Sequence, residues 1–136
     1  MREARTRDEH IKRGDLASAV RDAVSLATGA TASAGQVARY RTQIAAARAH
    51  RDQLLERGAT VALLARLDRY LLRLRHALDA ARAEQLRAEA RHRGQLAAVD
   101  QARSRFILAR ADREVIERHF ATWRAERRKL AERRED

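Results

Sequence analysis

The stretch ERGATVALLARLDRYLLRLRHAL, residues 56–78, holds a stop signal, a start signal and the beginning of a seam. Gly58 follows Arg57 where a helix would end, and glycine readily takes the left-handed conformation that closes a helix. Thr60 comes two residues later, and a threonine hydroxyl can cap the first amides of a new helix. Beyond it, Leu64, Leu67, Leu71, Leu74 and Leu78 step by three and four, the a and d spacing of a coiled coil. One helix therefore ends and another begins within a few residues. So short a connection makes the two helices antiparallel neighbours.

The composition supports long helices on both sides of that turn. The chain has 136 residues with no proline and five glycines, so little punctuates it into many elements. Aromatics are 4% and charged residues 36%, and the apolar share is largely Ala, Leu and Val. Ala, Leu, Arg and Glu are strong helix formers, and this mixture belongs to long helices and coiled coils. Strand-like runs of Val, Ile and Thr are missing. The expectation is an all-α fold, a long two-helix antiparallel coiled-coil hairpin in a single domain over 1–136. Helix one covers about 3–57, the turn about 57–60 and helix two about 61–134. At 1.5 Å per residue the helices measure roughly 80 Å and 110 Å.

The seam can be followed outward from the turn. In the second helix it weakens through AARAEQLRAEARHRGQ (80–95), where Leu86 and Ala90 suggest a shift of register and Gly94 softens the helix. It resumes with Val99, Phe106, Ala109, Ile116, Phe120, Trp123 and Leu130, with Arg113 and Arg127 on or beside the stripe. In the first helix Leu16, Val20, Ala23 and Ala27 form one set. Val37, Tyr40, Ile44, Ala47 and Leu54 form another. Between them TGATASAG (28–35) is a candidate kink, although alanine-rich flanks can carry a helix through at about 1 kcal/mol per glycine. Alanine at seam positions lets helices approach closely but buries little area each, so modest stability is expected.

Chemistry-bearing patterns are missing. His10, His50, His76, His92 and His119 form no HExxH and no i, i+4 pair, and no phosphate-binding glycine motif occurs. There is no cysteine, which excludes disulfides and thiolate sites. The reading is a non-enzymatic protein without catalytic residues, cofactor, metal or small-molecule substrate. No run of about 18 apolar residues is present to cross a membrane. The charged opening MREARTRDEH leads into no apolar segment, and a cytoplasmic location is expected.

Net charge is +11, nearly all from arginine, since Lys12 and Lys129 are the only lysines. That balance favours acidic partners. The closing segment FATWRAERRKLAERR (120–134) concentrates it. Ile116, Phe120, Trp123, Arg127 and Leu130 lie on one helix face. The opposing opening segment offers little apolar surface besides Ile11, so this face is a candidate docking edge. Its basic residues could also contact nucleic-acid phosphates, but Glu126, Glu132 and Glu135 interrupt them and no recognised binding motif appears. A membrane-surface helix would need more bulky apolar residues. A basic hairpin binding nucleic acid and a generic coiled-coil scaffold remain alternative readings.

Two stretches carry a resemblance. ALLARLDRYLLRLRHALDAARAEQ (62–85), opening the second helix, and ILARADREVIERHFATWRAERRKL (107–130) are similar to the central-stalk proteins of type III secretion systems, the FliJ/YscO family. The resemblance covers nearly the whole length. It implies a stalk that inserts into the pore of the hexameric secretion ATPase, stimulates or couples it, and links it to the export gate protein. It also implies an occasional role with secretion chaperones and a place at the cytoplasmic face of a virulence or flagellar apparatus. By that resemblance the end carrying both termini faces the ATPase, through Phe120, Trp123, Arg124, Arg127, Arg128 and Leu130. Tyr70 and Leu74 match the aromatic and leucine associated with gate binding. Here the aromatic is tyrosine where the family has phenylalanine, and TGATASAG departs from the family's first helix.

Overall fold

The computed structural model describes residues 1–135. It is an all-α helical hairpin of two helices, α1 (Arg2–Glu56) and α2 (Val61–Glu135). The observed ends fall within a residue or so of those read from the sequence.

The turn is built as its sequence dictates. Gly58 sits at φ 78°, in the left-handed region. The Ala59 amide donates to the Leu54 carbonyl at 2.9 Å, and the Gly58 amide donates to Leu55 at 3.3 Å. These are the paired bonds of a Schellman motif, and they satisfy carbonyls that the end of α1 would otherwise leave open. Thr60 starts α2: its hydroxyl oxygen accepts the Leu63 amide at 3.3 Å, and its carbonyl accepts the Leu64 amide at 3.1 Å.

Contacts cluster the chain into two units, Val24–Gly94 and Met1–Ala23 with Gln95–Asp136. In the first of these, around the turn, Val37, Ile44 and Ala47 of α1 pack with Leu71, Leu74, Leu78 and Ala81 of α2, and Tyr40 leans on the cluster. Arg51 pairs with Asp68 at 2.7 Å and fixes the antiparallel sense beside the turn. The stretch 28–35 does not kink: α1 is helical throughout. Thr28 and Thr31 donate their hydroxyls to the carbonyls of Val24 and Ala27, one turn back, so the polar side chains are satisfied within the helix.

The burial pattern corrects two readings. In α2 the expected register shift at Leu86 and Ala90 does not occur. Both are exposed, and the covered positions run on as Leu78, Ala81, Gln85, Ala88 and His92 in unbroken steps of three and four. The seam was hard to see because small and polar residues carry it there. In α1, Val20 is exposed and Ala19 takes its place. The sequence Leu16, Ala19, Ala23 and Leu26 keeps the same step.

In the terminal unit the covered α2 positions are Gln95, Ala98, Val99, Ala102, Phe106, Ala109, Arg113 and Ile116, with Val99 and Ala109 the most deeply buried. Opposite them lie Glu9, Lys12, Leu16, Ala19 and Ala23 of α1. Gln95 donates its side-chain amide to the Ala19 carbonyl at 3.1 Å, and Arg5 pairs with Asp112 at 3.2 Å. Ile11, the apolar residue that the opening segment offered to the facing stripe, is exposed, as is Met1.

Candidate docking tip

Opposed residues on two antiparallel helices run in opposite numerical order. With Ala19 beside Gln95 and Arg5 beside Asp112, the first turn of α1 lies level with residues just beyond Asp112. α2 continues to Glu135, so its last segment has no α1 residue facing it. Burial reports the same boundary: Ile116 and Glu117 are partly covered, and every residue of 118–135 is exposed.

At that boundary stands Glu9, the one buried charged residue among the described residues. It ion-pairs with Arg113 through Nε, and Arg113 donates from Nη1 to Glu117 at 3.0 Å. Arg13 adds a 3.7 Å contact to the other Glu9 oxygen. Hydrogen bonding to Glu9 first, and then to Glu117, pushes the Arg113 guanidinium above its ordinary range, so it is charged at any working pH. Arg13 also lies over the Phe106 ring at 5.7 Å. Arg113 was legible as a residue on the stripe, but Glu9 was missed. The available signal was its spacing of one heptad before Leu16.

Past this point the seam step continues without a partner. From Arg113 and Ile116 the same alternation of four and three reaches Phe120, Trp123, Arg127, Leu130 and Arg134. Phe120 and Trp123 form an edge-to-face pair with centroids 6.3 Å apart and planes at 80°. Arg127 lies over the Trp123 ring at 5.0 Å. Trp123 is 46% exposed and Leu130 56%. The sequence reading expected these aromatics to fill the hairpin seam as well as edge a docking surface. The first role fails, because α1 does not extend to meet them.

The charges of the tip are less paired than those of the rest of α2, where arginines with an ion pair alternate with others, such as Arg66, Arg69, Arg73, Arg75, Arg93 and Arg105, that make none among the described residues. Upstream, Arg87 and Arg91 both pair with Glu84, Arg103 with Asp100, and Arg110 with Glu114. Arg91, then Arg87, hydrogen-bonds the Glu84 carboxylate and holds its pKa below the usual range. Residues 118–135 contain seven Arg and Lys against three Glu. Among the described residues, Arg124, Arg127, Arg128 and the other basic side chains of this segment make no ion pair.

The second pair of candidates separates. Tyr70 is exposed, with Arg73 over its ring at 5.9 Å. Leu74 is 7% exposed and belongs to the core cluster with Ile44 and Leu71. Leu74 thus packs in the seam, while Tyr70 stands at the surface. Among the described residues no group of three or more His, Cys, Asp or Glu is placed to hold a metal, and no helix is long and apolar enough to cross a membrane. Comparison with family models, curated proteins and solved structures finds no match.

Proposed function

We propose that the protein is a non-enzymatic stalk that docks on a hexameric secretion ATPase, stimulates or couples it, and connects it to an export gate. The observation that carries this reading is the uncovered end of α2, where Phe120, Trp123 and Leu130 are exposed among unpaired arginines. An apolar stripe with aromatic and arginine anchors is the usual make-up of an energetic centre in a protein interface. Arginine forks suit acidic loops on a partner through charge-assisted bonds. The resemblance to type III secretion stalk proteins names the partner. In this reading Phe120, Trp123, Arg124, Arg127, Arg128 and Leu130 contact the ATPase. Tyr70 and Leu74 take the gate-binding role, Tyr70 from the exposed face of α2 and Leu74 from the seam, with exposed Leu63 one heptad before Tyr70. Secretion chaperones are further partners by the same resemblance.

The test mixes the full chain with a purified type III secretion ATPase and measures hydrolysis and hexamer formation. Stimulation is expected, and Trp123→Ala or Arg127→Glu should weaken binding without lowering helicity. The absence of both stimulation and binding would remove the reading. The unpaired basic residues also favour nucleic acid as a second reading. Tight binding of DNA or RNA at about 150 mM salt, where purely phosphate-driven contacts are weakened, would put it first.

A further inference from the structure

The uncovered segment is more than a basic tail, because its apolar and arginine residues keep the step of the buried seam. Phe120, Arg127 and Arg134 continue the position held by Arg113, and Trp123 and Leu130 continue that of Ile116. A stripe repeating at this spacing is matched by another helix, since only a helix presents side chains at the same period. We infer that residues 118–135 receive an acidic amphipathic helix of a partner protein, which prolongs the two-helix seam beyond the first residue of α1. This rests on the reading of the segment as a docking tip, and it specifies what the tip takes.

Two observations set the chemistry of that helix. The first lies within the hairpin: where an arginine occupies this seam position under cover, at Arg113, the facing helix supplies a glutamate, Glu9, at a seam position of its own. Arg127 and Arg134 repeat Arg113 at heptad spacing, so the occupant meets them with carboxylates. Phe120, Trp123 and Leu130 demand apolar residues between those carboxylates. The second observation is charge. Seven basic residues against three acidic ones make the tip strongly positive. A second copy of the same tip would set Arg127 and Arg134 among like charges, which disfavours self-pairing. Nucleic acid would use the arginines but has no need of an apolar stripe at a period of three and four.

The probe is a synthetic acidic helix about three heptads long, with leucine at its apolar seam positions and glutamate facing Arg127 and Arg134. The readout is the emission of Trp123, the only tryptophan in the chain. Saturable binding with a blue shift is expected as the indole leaves water. Arg127→Glu should weaken binding about ten-fold or more, and replacing the facing glutamate by lysine should restore it in that variant. A peptide of the same composition with scrambled spacing should not bind. Equal binding of the scrambled peptide, or failure of the charge swap, overturns the inference. So does short duplex DNA that gives the same emission shift and displaces the peptide, or a dimer of the chain alone that already shields Trp123. Acidic-helix binding without ATPase binding would remove the secretion-ATPase reading and leave this inference standing. ATPase stimulation by the full chain that Arg127→Glu weakens, with no binding of the peptide, would do the reverse.

Discussion

Leu74 and Trp123 each stand three residues after a seam neighbour, Leu71 and Phe120, yet the fold gives them opposite environments. Replacing each by alanine measures that contrast. Leu→Ala in a core costs about 2–5 kcal/mol through lost transfer energy and the cavity left behind. Leu74 is 7% exposed, and among the described residues no large side chain is fully buried. A two-helix seam is open to water at its sides, so the vacated space does not become a closed cavity. The expected cost is therefore at the low end, about 2–3 kcal/mol. Trp123 packs on Phe120 and Arg127 of its own helix and is 46% exposed. Surface substitutions of that kind stay within about 0.5 kcal/mol. Urea unfolding followed by helical circular dichroism separates the two. With a slope of about 1–3 kcal/mol/M, Leu74→Ala should lower the midpoint by roughly 1–2 M. Trp123→Ala should leave it almost unchanged. If Trp123→Ala destabilises as much as Leu74→Ala, something in the chain covers the tip, and the argument for a free docking surface collapses.

Gly58→Ala should cost about 1 kcal/mol, read as a lower melting temperature, because alanine resists the positive φ of the turn. Nothing lies within 4 Å of where its Cβ would stand, so the cost is conformational alone, and Gly58→Asn should recover part of it. No change with alanine would mean that the turn closes some other way. Glu9→Lys sets an ammonium against Arg113. It should destabilise the terminal unit by about 2 kcal/mol, less than a fully buried broken pair because Arg113 keeps Glu117 and is partly exposed. Hydrogen exchange should quicken around residues 5–16 and 106–116 and stay slow around Ile44 and Leu71. Uniform quickening along both helices would show that Glu9 acts globally instead.

Fold class and turn were legible because their signals are local. Gly58 and Thr60 mark the turn by backbone conformation and capping, and the leucines after it mark a seam by spacing alone. The middle of the seam was illegible for a physical reason. Ala81, Gln85, Ala88, His92 and Gln95 occupy it, and none of them announces burial by its chemistry. Leu86 attracts attention by its size, yet it is 65% exposed. The stripe through Phe120 and Trp123 was legible as a helix face. Its lack of cover was legible only in part: helices of roughly 80 Å and 110 Å on one turn leave an overhang, but the residue where it begins depends on where α1 starts relative to α2. That offset is fixed by Ala19 with Gln95 and Arg5 with Asp112, contacts far apart in the chain.

The hairpin register also orders assembly in time. Arg51 and Asp68 are 17 residues apart in the chain, whereas Arg5 and Asp112 are 107 apart. Chain-closure entropy grows with the logarithm of that separation, so making the far contact first would cost about 1.6 kcal/mol more than making the near one. Once the turn has formed, each further layer closes only a short additional loop. Pairing thus proceeds as a zipper from Gly58 outward. On that order the Glu9–Arg113 pair is expected to form late, after the contacts beside the turn.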